Sequence, residues 1–523
     1  MVSSSCSTAS AVFSVKILGR QQSSTREASS TRLSALLSDR LTGLDQPTVW
    51  HEFSPMAAQY NSINLGQGFP DWDPPSFVVE SMHRSVDPVS GRNANQYARS
   101  YAHMPLANVL ADEYSQSWGI PIAPKTQIAT ATGVTNVLFC LLQGKVNGEL
   151  TVQHVHYLGL FVALLSSCGS CSYNSPNLTK TGLIGPGDEV LLMEPYFDIY
   201  SSQVQMAGGT CVYVPLRTTT TTATNTTGDQ RESDDYDGAS NTFLLDLDEL
   251  ESKITDRTKL MILNSPHNPT GKIFTINELK GIADVVSKHP KLVVAADEVY
   301  QHILFDPTNE PHVSIVTVDN GKIFDQTVTM SSSGKTFSCT GWKVGWAVGP
   351  KHLIQAITAV QQWVNFSSVT PTQDAIAQAL QIAREPYSVD GKEYGNYYSW
   401  LADEYKRKRQ LLIEALEIAG MTPIVPNGGF FIMADTSHVE FPYEDIASTQ
   451  RTPAMPGYNV GEKMPRDWAL ARWLTQEVGV TAIPPSAFYS KDFHLAKDML
   501  RFAFCKKDET LIQAKDRLKD YFS

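Results

Sequence analysis

Short apolar runs alternate with polar turns along the first two thirds of the chain. After a short strand near Ile63 and a Gly/Pro turn, the predicted strands are 126–132, 189–193, 260–263, 292–296 and 328–330. Helical patterns lie between them, such as the one that follows Gly133 through Val137, Leu138 and Leu141. This alternation predicts an α/β fold with a mostly parallel sheet and helices on both faces.

From about Gly349 the pattern changes to long helical periodicities with few strands. The predicted helices are 351–364, 372–384, 399–419, 465–478 and 508–521, and the predicted strands are 430–434 and 500–504. This part of the chain therefore predicts a second, smaller α+β domain.

The composition is that of a globular chain, and it excludes several classes of protein. The 523 residues are 42% hydrophobic and 18% charged, which argues against disorder throughout. A net charge of −12 argues against nucleic-acid or anionic-membrane binding as the main role. The best apolar run, 158–165, is too short to span a membrane. Seven mostly scattered cysteines do not form a disulfide framework, so a reducing interior is expected.

A lysine in a Ser/Gly turn follows the apolar run 328–330. In Ser332-Ser-Gly-Lys335-Thr-Phe-Ser338, the lysine has the short, flexible surroundings that a Schiff-base lysine needs. Ser332 and the nearby Lys343 can supply hydroxyl and ammonium contacts to a phosphate. An ordinary solvated lysine is the alternative that this turn alone leaves open.

Two further strand ends fit the same kind of ligand, pyridoxal phosphate. Asp297 directly follows the run 292–296, and it would pair with the pyridinium nitrogen and keep the ring an electron sink. Tyr300 and Asn268 would each hydrogen-bond the phenolic oxygen of the ring. The alternatives are a buried aspartate paired with any cation, and prolyl turn chemistry around Asn268.

Two other segments offer groups that bind anions. Gly133 opens a helix, and backbone N–H groups at a helix N-terminus suit a phosphate. Arg501 lies in a predicted strand among aromatic residues and is a candidate bidentate clamp for a substrate α-carboxylate. A common Gly-rich helix start and an arginine paired with a core carboxylate are the structural alternatives. The order and spacing of all these segments are more specific than any one of them.

With these segments in this order, the sequence resembles the class I and II aminotransferases of fold type I, which depend on pyridoxal phosphate. Within that family it resembles the kynurenine–oxoglutarate transaminases, also called cysteine-S-conjugate β-lyases or glutamine transaminase K. The resemblance covers about residues 42–522, apart from insertions. Further matching segments are Trp50-His-Glu-Phe53, Asn64-Leu-Gly-Gln-Gly-Phe-Pro-Asp71, Gln96-Tyr97, Glu194-Pro-Tyr-Phe-Asp198, Thr340-Gly-Trp-Lys-Val-Gly-Trp346 and Val425-Pro-Asn-Gly-Gly-Phe-Phe431.

The resemblance implies an architecture, a reaction and partners. It implies an N-terminal arm of the small domain and active-site lid at 40–70. A large domain would follow at 71–350, with a mostly parallel seven-stranded sheet sandwiched by helices, and the smaller domain would occupy 351–523. The implied reaction moves an amino group from an aromatic, kynurenine, glutamine or methionine-like donor to a 2-oxo acid by a ping-pong mechanism. A homodimer with shared active sites is also implied.

The resemblance also assigns roles to single residues. Lys335 would hold the cofactor as a Schiff base and move a proton between Cα and C4′, with Asp297 and Tyr300 as further catalytic residues. The other cofactor-binding residues would be Asn268, Phe197 stacked on the ring, Gly133, Val134, Thr135, Ser332 and Lys343 at the phosphate, and Tyr97 reaching the phosphate from the partner subunit. The substrate would be held by Gly68, Asn268, Arg501 and Trp50. No metal is expected.

Two positions depart from the family pattern. The family often has Tyr where Thr135 stands, and an aromatic-His pair where Ser368 and Val369 stand. The pocket for an aromatic substrate is therefore altered. A second arginine for a dicarboxylate side chain is not evident, which disfavours a dedicated aspartate aminotransferase.

Three segments differ from the rest of the chain, two in composition and one in its match to the family. Residues 1–39 are Ser/Thr-rich, basic and poor in acids, which favours an organelle transit peptide, mitochondrial or else plastid, over a disordered leader of a cytoplasmic protein. Residues 217–241 are a low-complexity stretch expected to form a surface loop. Residues 145–182 interrupt the resemblance, and removing them restores an uninterrupted helix, turn and strand. Because codons at both ends can encode splice signals, we hypothesise a translated, retained intron.

Two alternatives to the aminotransferase interpretation remain, and a third is disfavoured. One is β-elimination from cysteine S-conjugates as the main activity. Another is a protein of this fold whose catalysis is impaired by the segment 145–182. A transcription regulator with this fold needs an N-terminal DNA-binding domain, and residues 1–41 are too short and too Ser-rich for one.

Overall fold

The structure, a computed structural model, describes residues 39–144, 183–218, 243–449, 451–452, 454–455, 463–490 and 493–523. The strands are β1 Ile63–Asn64, β2 Ile128–Thr132, β3 Glu189–Glu194, β4 Thr210–Pro215, β5 Arg217–Thr218, β6 Phe243–Leu244, β7 Thr258–Asn264, β8 Val293–Asp297, β9 Thr327–Ser332, β10 Val344–Val348, β11 Tyr387–Val389, β12 Lys392–Tyr394, β13 Thr422–Ile424, β14 Phe431–Asp435, β15 Val480–Thr481 and β16 Met499–Ala503.

The α-helices flank these strands along the chain. They are α1 Val49–Gln59, α2 Ser76–Val86, α3 Met104–Trp118, α4 Val134–Gln143, α5 Ile199–Ala207, α6 Leu247–Ser252, α7 Ile276–Lys288, α8 Ser333–Thr336, α9 Lys351–Val364, α10 Thr370–Ile382, α11 Tyr397–Ile418, α12 Tyr443–Ala447, α13 Arg466–Trp473 and α14 Asp508–Phe522. Short 3-10 turns occur at Asp39–Leu41, Pro88–Ser90, Ile315–Asn320, Phe324–Gln326, Thr340–Trp342, Pro485–Phe488 and Phe493–Ala496, and a π-helical turn, Leu474–Val478, continues α13.

The central sheet has seven strands in the order β2-β10-β9-β8-β7-β3-β4. All neighbouring strands are parallel except β10, which runs antiparallel to both β2 and β9. The α/β fold with a mostly parallel seven-stranded sheet is therefore confirmed. Two of its strands, β4 and β10, are not among the predicted apolar runs: β4 is a partly exposed edge strand, and β10 contains Gly345.

Both faces of the sheet are buried, which explains why its strands read as continuous apolar runs. Side chains of successive strand residues point to opposite faces. In β3, Val190 and Leu192 belong to one core with residues of α4, α5 and α9. Leu191 and Met193 belong to a second core with residues of α7. Hydrophobic burial on two faces thus holds the strand ends in a rigid layer.

A smaller antiparallel sheet, β13-β14-β16, is formed by the C-terminal part of the chain. Met433 in β14 is paired with Arg501 in β16, so that arginine is held in a regular strand. Helices α11 and α14 pack against each other. The predicted helices and strands of this region agree with the observed bounds to within about two residues, except that the predicted helix 465–478 ends as a π-helical turn.

The boundaries predicted for the domains stay predictions. Helix α9 shares a core with the large sheet, and α10 packs against α2 and α3, although the predicted boundary assigns both helices to the smaller domain. Residues 46–523 form one compact unit. The predicted leader lies outside the described residues up to position 38. No helix in the described ranges has the length and apolar character needed to cross a membrane.

The segments predicted as insertions lie largely outside the described residues. Of the stretch 217–241, only Arg217 and Thr218 are described, and they pair with β6 rather than forming a loop. The segment 145–182 is not described, but its two flanks are. The N–H of Ile184 donates a hydrogen bond of 3.1 Å to the carbonyl oxygen of Leu142, so the two flanks meet in space. The chain can therefore pass from α4 towards β3 without this segment.

Joining Gly144 to Leu183 by deleting 145–182 is expected to leave the fold intact. Because a shorter loop costs less closure entropy, the free energy of unfolding should rise by roughly 2 kcal/mol. Denaturant unfolding and circular dichroism of the two proteins would measure this. A control variant with a Gly/Ser linker of equal length in place of 145–182 should match the full chain. A deletion protein that fails to fold would show that the segment is structurally required.

Candidate active site

A cavity of about 760 Å³ opens at the carboxyl ends of the central strands. It lies where β3, β7, β8 and β9 end and where α4 begins, which is the usual ligand position in such sheets. Thirteen of the residues predicted from sequence line it: Trp50, Gly68, Gly133, Val134, Thr135, Phe197, Asn268, Asp297, Tyr300, Ser332, Lys335, Lys343 and Arg501. Residues from distant parts of the sequence are thus brought into one site.

Lys335 lies on α8, in the turn that directly follows β9. Its Nζ donates a hydrogen bond of 2.8 Å to the carbonyl oxygen of Gly68 and lies 5.2 Å from the ring centre of Phe430. Burial lowers the pKa of this amine to about 8. Lys335 is therefore a neutral nucleophile in a larger fraction of molecules near neutral pH than an ordinary lysine.

Asp297 is the last residue of β8, and its side chain is buried. The hydroxyl of Tyr200 donates a hydrogen bond of 2.6 Å to Oδ2, and the N–H of Val299 lies 3.4 Å from Oδ1. Burial raises the pKa of the carboxyl to about 6. A cation close to Oδ1 would stabilise the charged form of this carboxylate.

The first turn of α4 and the side chain of Lys343 form a cationic corner of the cavity. A Cβ atom on Gly133 would lie 3.1 Å from Lys343 Nζ, so the ammonium group is next to the helix start. Gly345 allows β10 to approach this turn, because a Cβ there would lie 2.5 Å from the carbonyl carbon of Gly133. N–H groups in the first turn of a helix lack acceptors within the helix. This corner is suited to a phosphate group.

Arg501 is buried among aromatic rings at the other end of the cavity. Its Nη1 donates to Asn268 Oδ1 at 3.2 Å and its Nη2 to the carbonyl oxygen of Gly66 at 2.6 Å, while Nε has no hydrogen-bond partner. The guanidinium carbon lies 4.3 Å from the ring centre of Phe431 and 5.3 Å from that of Trp50. Burial lowers its pKa to about 10, so it keeps its charge at neutral pH. Asp198 attracts this charge electrostatically, and a carboxylate at Nε would add the hydrogen-bonded anion that the guanidinium lacks.

The remaining predicted residues complete the walls of the cavity. Tyr300 is buried, with its ring edge-on to Phe430 at 5.1 Å. Asn268 uses Oδ1 for Arg501, which leaves its Nδ2 group to donate into the cavity. Phe197 lies edge-on to Tyr200 at 5.7 Å. These residues line the cavity, and their roles stay predictions.

Tyr97 is the one predicted residue that does not line this cavity. Its side chain is 83% exposed and packs edge-on against Phe366 at 5.2 Å. Val369 is also exposed and lies outside the cavity, whereas Ser368 is buried and donates to the carbonyl oxygen of Thr130. The prediction for Tyr97 concerns a partner subunit, and it stays a prediction.

Tyr200 and Asp198 are among the polar residues of the site that sequence reasoning missed. Asp198 lines the cavity, and its Oδ2 accepts a hydrogen bond of 2.8 Å from Trp50 Nε1. Tyr200 follows Phe197 by three residues, which places both on one side of a helix start. That spacing was the available signal. The partner of Tyr200, Asp297, lies 97 residues away in the sequence.

Comparison with known proteins agrees with this geometry. The family described as "Aminotransferase class I and II" matches residues 162–518. The kynurenine–oxoglutarate transaminase of Dictyostelium discoideum is 39% identical over 90% of this chain and 93% of its own length. Kynurenine–oxoglutarate transaminase 3 of Mus musculus is 36% identical over 91% of this chain and 88% of its own length.

Solved structures of aminotransferases have the same fold. The methionine aminotransferase YbdL of Escherichia coli superimposes with a TM-score of 0.69 and 27% identity, over 92% of this chain and 99% of its own. Bna3p of Saccharomyces cerevisiae superimposes with a TM-score of 0.71 and 27% identity over the same shares of both chains.

The fold and the cavity define an α/β transferase of fold type I. The chain belongs to the class I and II aminotransferase family. It is an aminotransferase, and its reaction transfers an amino group from an amino acid to a 2-oxo acid. Enzymes of this family and fold depend on pyridoxal phosphate.

Proposed function

We propose that this chain binds pyridoxal 5′-phosphate in the cavity and uses it to transaminate amino acids with uncharged side chains. The observation that carries the proposal is that a buried lysine with a lowered pKa and a buried aspartate without a cationic hydrogen-bond partner line the same cavity. They lie at the ends of two neighbouring strands. Lys335 and Asp297 supply these two groups. Arg501, with its unpartnered Nε–H, adds a site for the α-carboxylate.

The residues present fit this cofactor. The α4 start and Lys343 suit its phosphate, Asp297 suits its ring nitrogen, and Tyr300 and Asn268 suit its phenolic oxygen. When bound, the cofactor supplies a carbonyl carbon for amino-group exchange and a ring that withdraws electrons from the substrate Cα.

The protein's own groups account for the proton transfers and for substrate orientation. Arg501 binds the α-carboxylate, which fixes the orientation of Cα within the cavity. With the cofactor bound, the Lys335 amine, with its lowered pKa, would accept the proton from the substrate Cα and deliver it to C4′ of the cofactor. Asp297 holds the opposite charge to a protonated ring nitrogen. Phe430 and Phe431 exclude water from the lysine and the arginine.

The cavity favours amino donors without a second carboxylate. Within the described part of the chain, its cationic side chains are Lys335, Lys343 and Arg501, and each has a role above. The carboxyl of Asp198 lies on the wall next to Trp50. Kynurenine, named for the curated relatives, and methionine, named for the Escherichia coli neighbour, both have uncharged side chains. We therefore propose donors of this class.

We further propose a homodimer in which two chains complete each active site. Outside the cavity, the apolar residues Tyr97, Trp363, Phe366 and Val369 are between 57% and 83% exposed, and the rings of Tyr97 and Phe366 are in contact. Large apolar side chains exposed near one another are typical of protein–protein contact surfaces. The N–H of Ala98 donates to Thr370 Oγ1 at 3.0 Å, which holds the Tyr97 loop beside α10. A second copy of this chain is the occupant that would bring Tyr97 to a phosphate site.

Substituting Lys335→Ala is expected to remove the visible absorbance of lysine-bound cofactor and to lower turnover by at least about a thousandfold. In the wild type, the rate of cofactor reconstitution should rise with pH through about 8, because the neutral fraction of this amine rises. Absorbance stopped-flow would measure both. Lys351→Ala, at the exposed start of α9, is the matched control. Retained turnover in Lys335→Ala would refute the assignment.

Pyruvate release from a cysteine S-conjugate without an added oxo acid would reveal β-elimination.

Substituting Asp198→Asn should raise kcat/KM for glutamate and 2-oxoglutarate by roughly tenfold and leave methionine little changed, because like-charge repulsion is removed. Burial raises the pKa of Asp198, so the wild-type discrimination should strengthen as pH rises and the carboxyl ionises. Asp112→Asn on the exposed face of α3 is the control. An unchanged ratio between the two substrate classes would contradict this role.

Mixing subunits tests the shared site. Lys335→Ala dimers should be nearly inactive, and Tyr97→Ala dimers should be less active than wild type at limiting cofactor. Random exchange of the two chains should restore roughly a quarter of wild-type activity, because hybrid dimers contain one intact site. Mixing Lys335→Ala with Arg501→Ala is the control, since both residues belong to the same chain's site and exchange should restore nothing. Absence of rescue in the first mixture would refute a site shared through Tyr97.

A further inference from the structure

The carboxylate of Asp297 is connected to the helix that follows Phe197 through a single side chain. The hydroxyl of Tyr200 donates to Asp297 Oδ2 at 2.6 Å, the shorter of the two hydrogen bonds that the carboxylate accepts. Tyr200 and Asp297 are 5% and 4% exposed, so solvent does not compete for this contact. In the described part of the chain, no other side chain donates a hydrogen bond to this carboxylate.

The contact determines which carboxylate oxygen remains available. Oδ2 is occupied by Tyr200, whereas Oδ1 receives only a long contact of 3.4 Å from the N–H of Val299. The main chain of Asp297 is fixed separately, because its carbonyl oxygen accepts from Asn264 Nδ2 at 2.8 Å and from the N–H of Ser265 at 3.1 Å. The backbone is thus held by β7, while the orientation of the carboxylate depends on Tyr200.

The same tyrosine also contacts the residue expected to stack on the cofactor ring. The rings of Phe197 and Tyr200 meet at 5.7 Å and 87°, an edge-to-face arrangement that restricts both side chains. Tyr200 lines the cavity as well. One side chain therefore links the position of the stacking ring to that of the acidic group.

We propose that Tyr200 is a positioning residue that orients Asp297 towards the cofactor ring nitrogen and keeps its carboxyl ionised. The proposal rests on the proposed function insofar as the ring belongs to pyridoxal phosphate. The link between Tyr200 and Asp297 itself does not depend on that cofactor.

The electrostatic effect of the contact has a definite direction. Burial raises the pKa of Asp297 to about 6, and the Tyr200 hydrogen bond opposes this rise. The other titratable groups that act on Asp297 or are acted on by it are Glu298 and Tyr300 in the following turn and Lys335 on α8. Removing the hydroxyl of Tyr200 leaves those groups in place. It should therefore raise the pKa further and leave more of the carboxyl neutral at pH 7.

In the cofactor-free protein, the titration of Asp297 changes the free energy of unfolding. The folded pKa is above the unfolded value, so the folded state binds the extra proton between about pH 4 and 6. Asp297 therefore lowers the free energy of unfolding as pH rises through that window. The difference in free energy of unfolding between wild type and Asp297→Asn, measured against pH, isolates the contribution of this carboxyl. The midpoint of that pH dependence should lie near pH 6.

The decisive experiment compares Tyr200→Phe with wild type in the full, cofactor-free chain, each measured against its Asp297→Asn counterpart. We expect Tyr200→Phe to move the midpoint upward by at least about one pH unit, the scale of a hydrogen bond to a charged group. Tyr196→Phe is the matched control: that ring lies in the same segment, stacks on Tyr213 at 5.6 Å and does not line the cavity. It should leave the midpoint unchanged.

In the reconstituted enzyme, Tyr200→Phe should lower kcat roughly tenfold with KM changed less than about twofold, because the ring nitrogen loses part of its anionic partner. The pH at which the cofactor absorbance changes should also shift upward, as the midpoint in the cofactor-free protein does.

A third variant keeps the experiment decisive if Tyr200→Phe folds poorly. Placing 3-fluorotyrosine at position 200 preserves the ring and makes the hydroxyl a stronger donor, so the midpoint should move downward. An unchanged midpoint in either folded variant would overturn the proposal. Failure of wild type to form a lysine-bound cofactor band would instead refute the proposed cofactor, and the titration of the cofactor-free protein would still decide the role of Tyr200.

Discussion

The burial of charged side chains around the cavity, with neutral hydrogen-bond partners among the described residues, is the constraint on which this structure depends. Asp297, Lys335 and Arg501 are enclosed by protein, and neutral hydrogen-bond partners surround each of them. Such groups are costly to bury without counter-charges. The two-sided hydrophobic packing of the sheet supplies the rigidity that holds them in place. A ligand with complementary charges therefore finds the site already organised.

The N-terminal arm joins two of these charges across the cavity. Lys335 donates to the carbonyl oxygen of Gly68, and Arg501 donates to that of Gly66. The arm is anchored by the parallel pairing of β1 with β15, where Ile63 is paired with Val480. Gly68 has no room for a side chain, because a Cβ would lie 2.4 Å from the ring of Phe431. A cofactor on Lys335 would replace the contact that this amine now makes with the arm, whereas Arg501 offers its unpartnered Nε–H to a substrate carboxylate.

The Asp297–Tyr200 hydrogen bond and the Asp198–Trp50 hydrogen bond show how one short segment serves two regions of the site. Residues 197–200 follow β3, and Tyr200 of this segment contacts the carboxylate of Asp297. Asp198 of the same segment contacts Trp50, which is predicted to bind the substrate. Under the proposed function, this segment of four residues couples cofactor orientation to substrate discrimination.

The sequence by itself determined the strand-end chemistry, because local strings carry it. Lys335 in its Ser/Gly turn, Asp297 after an apolar run and Gly133 at a helix start are visible without any long-range information. The apolar runs also predicted a two-sided sheet, since burial on both faces demands them. Short flanking strands such as β10 were missed, because pairing with β2 and β9 rather than local composition makes Val344–Val348 a strand.

Only the tertiary structure decided how these groups act on one another. Tyr200 and Asp297 are 97 residues apart, and Arg501 and Gly66 are 435 apart, so no local pattern predicts either hydrogen bond. The pKa shifts of Lys335 and Asp297 likewise arise from burial, which the folded chain alone creates. The sequence determined which chemical groups stand at the strand ends, and packing decided their distances, partners and charge, because those depend on residues that meet only after folding.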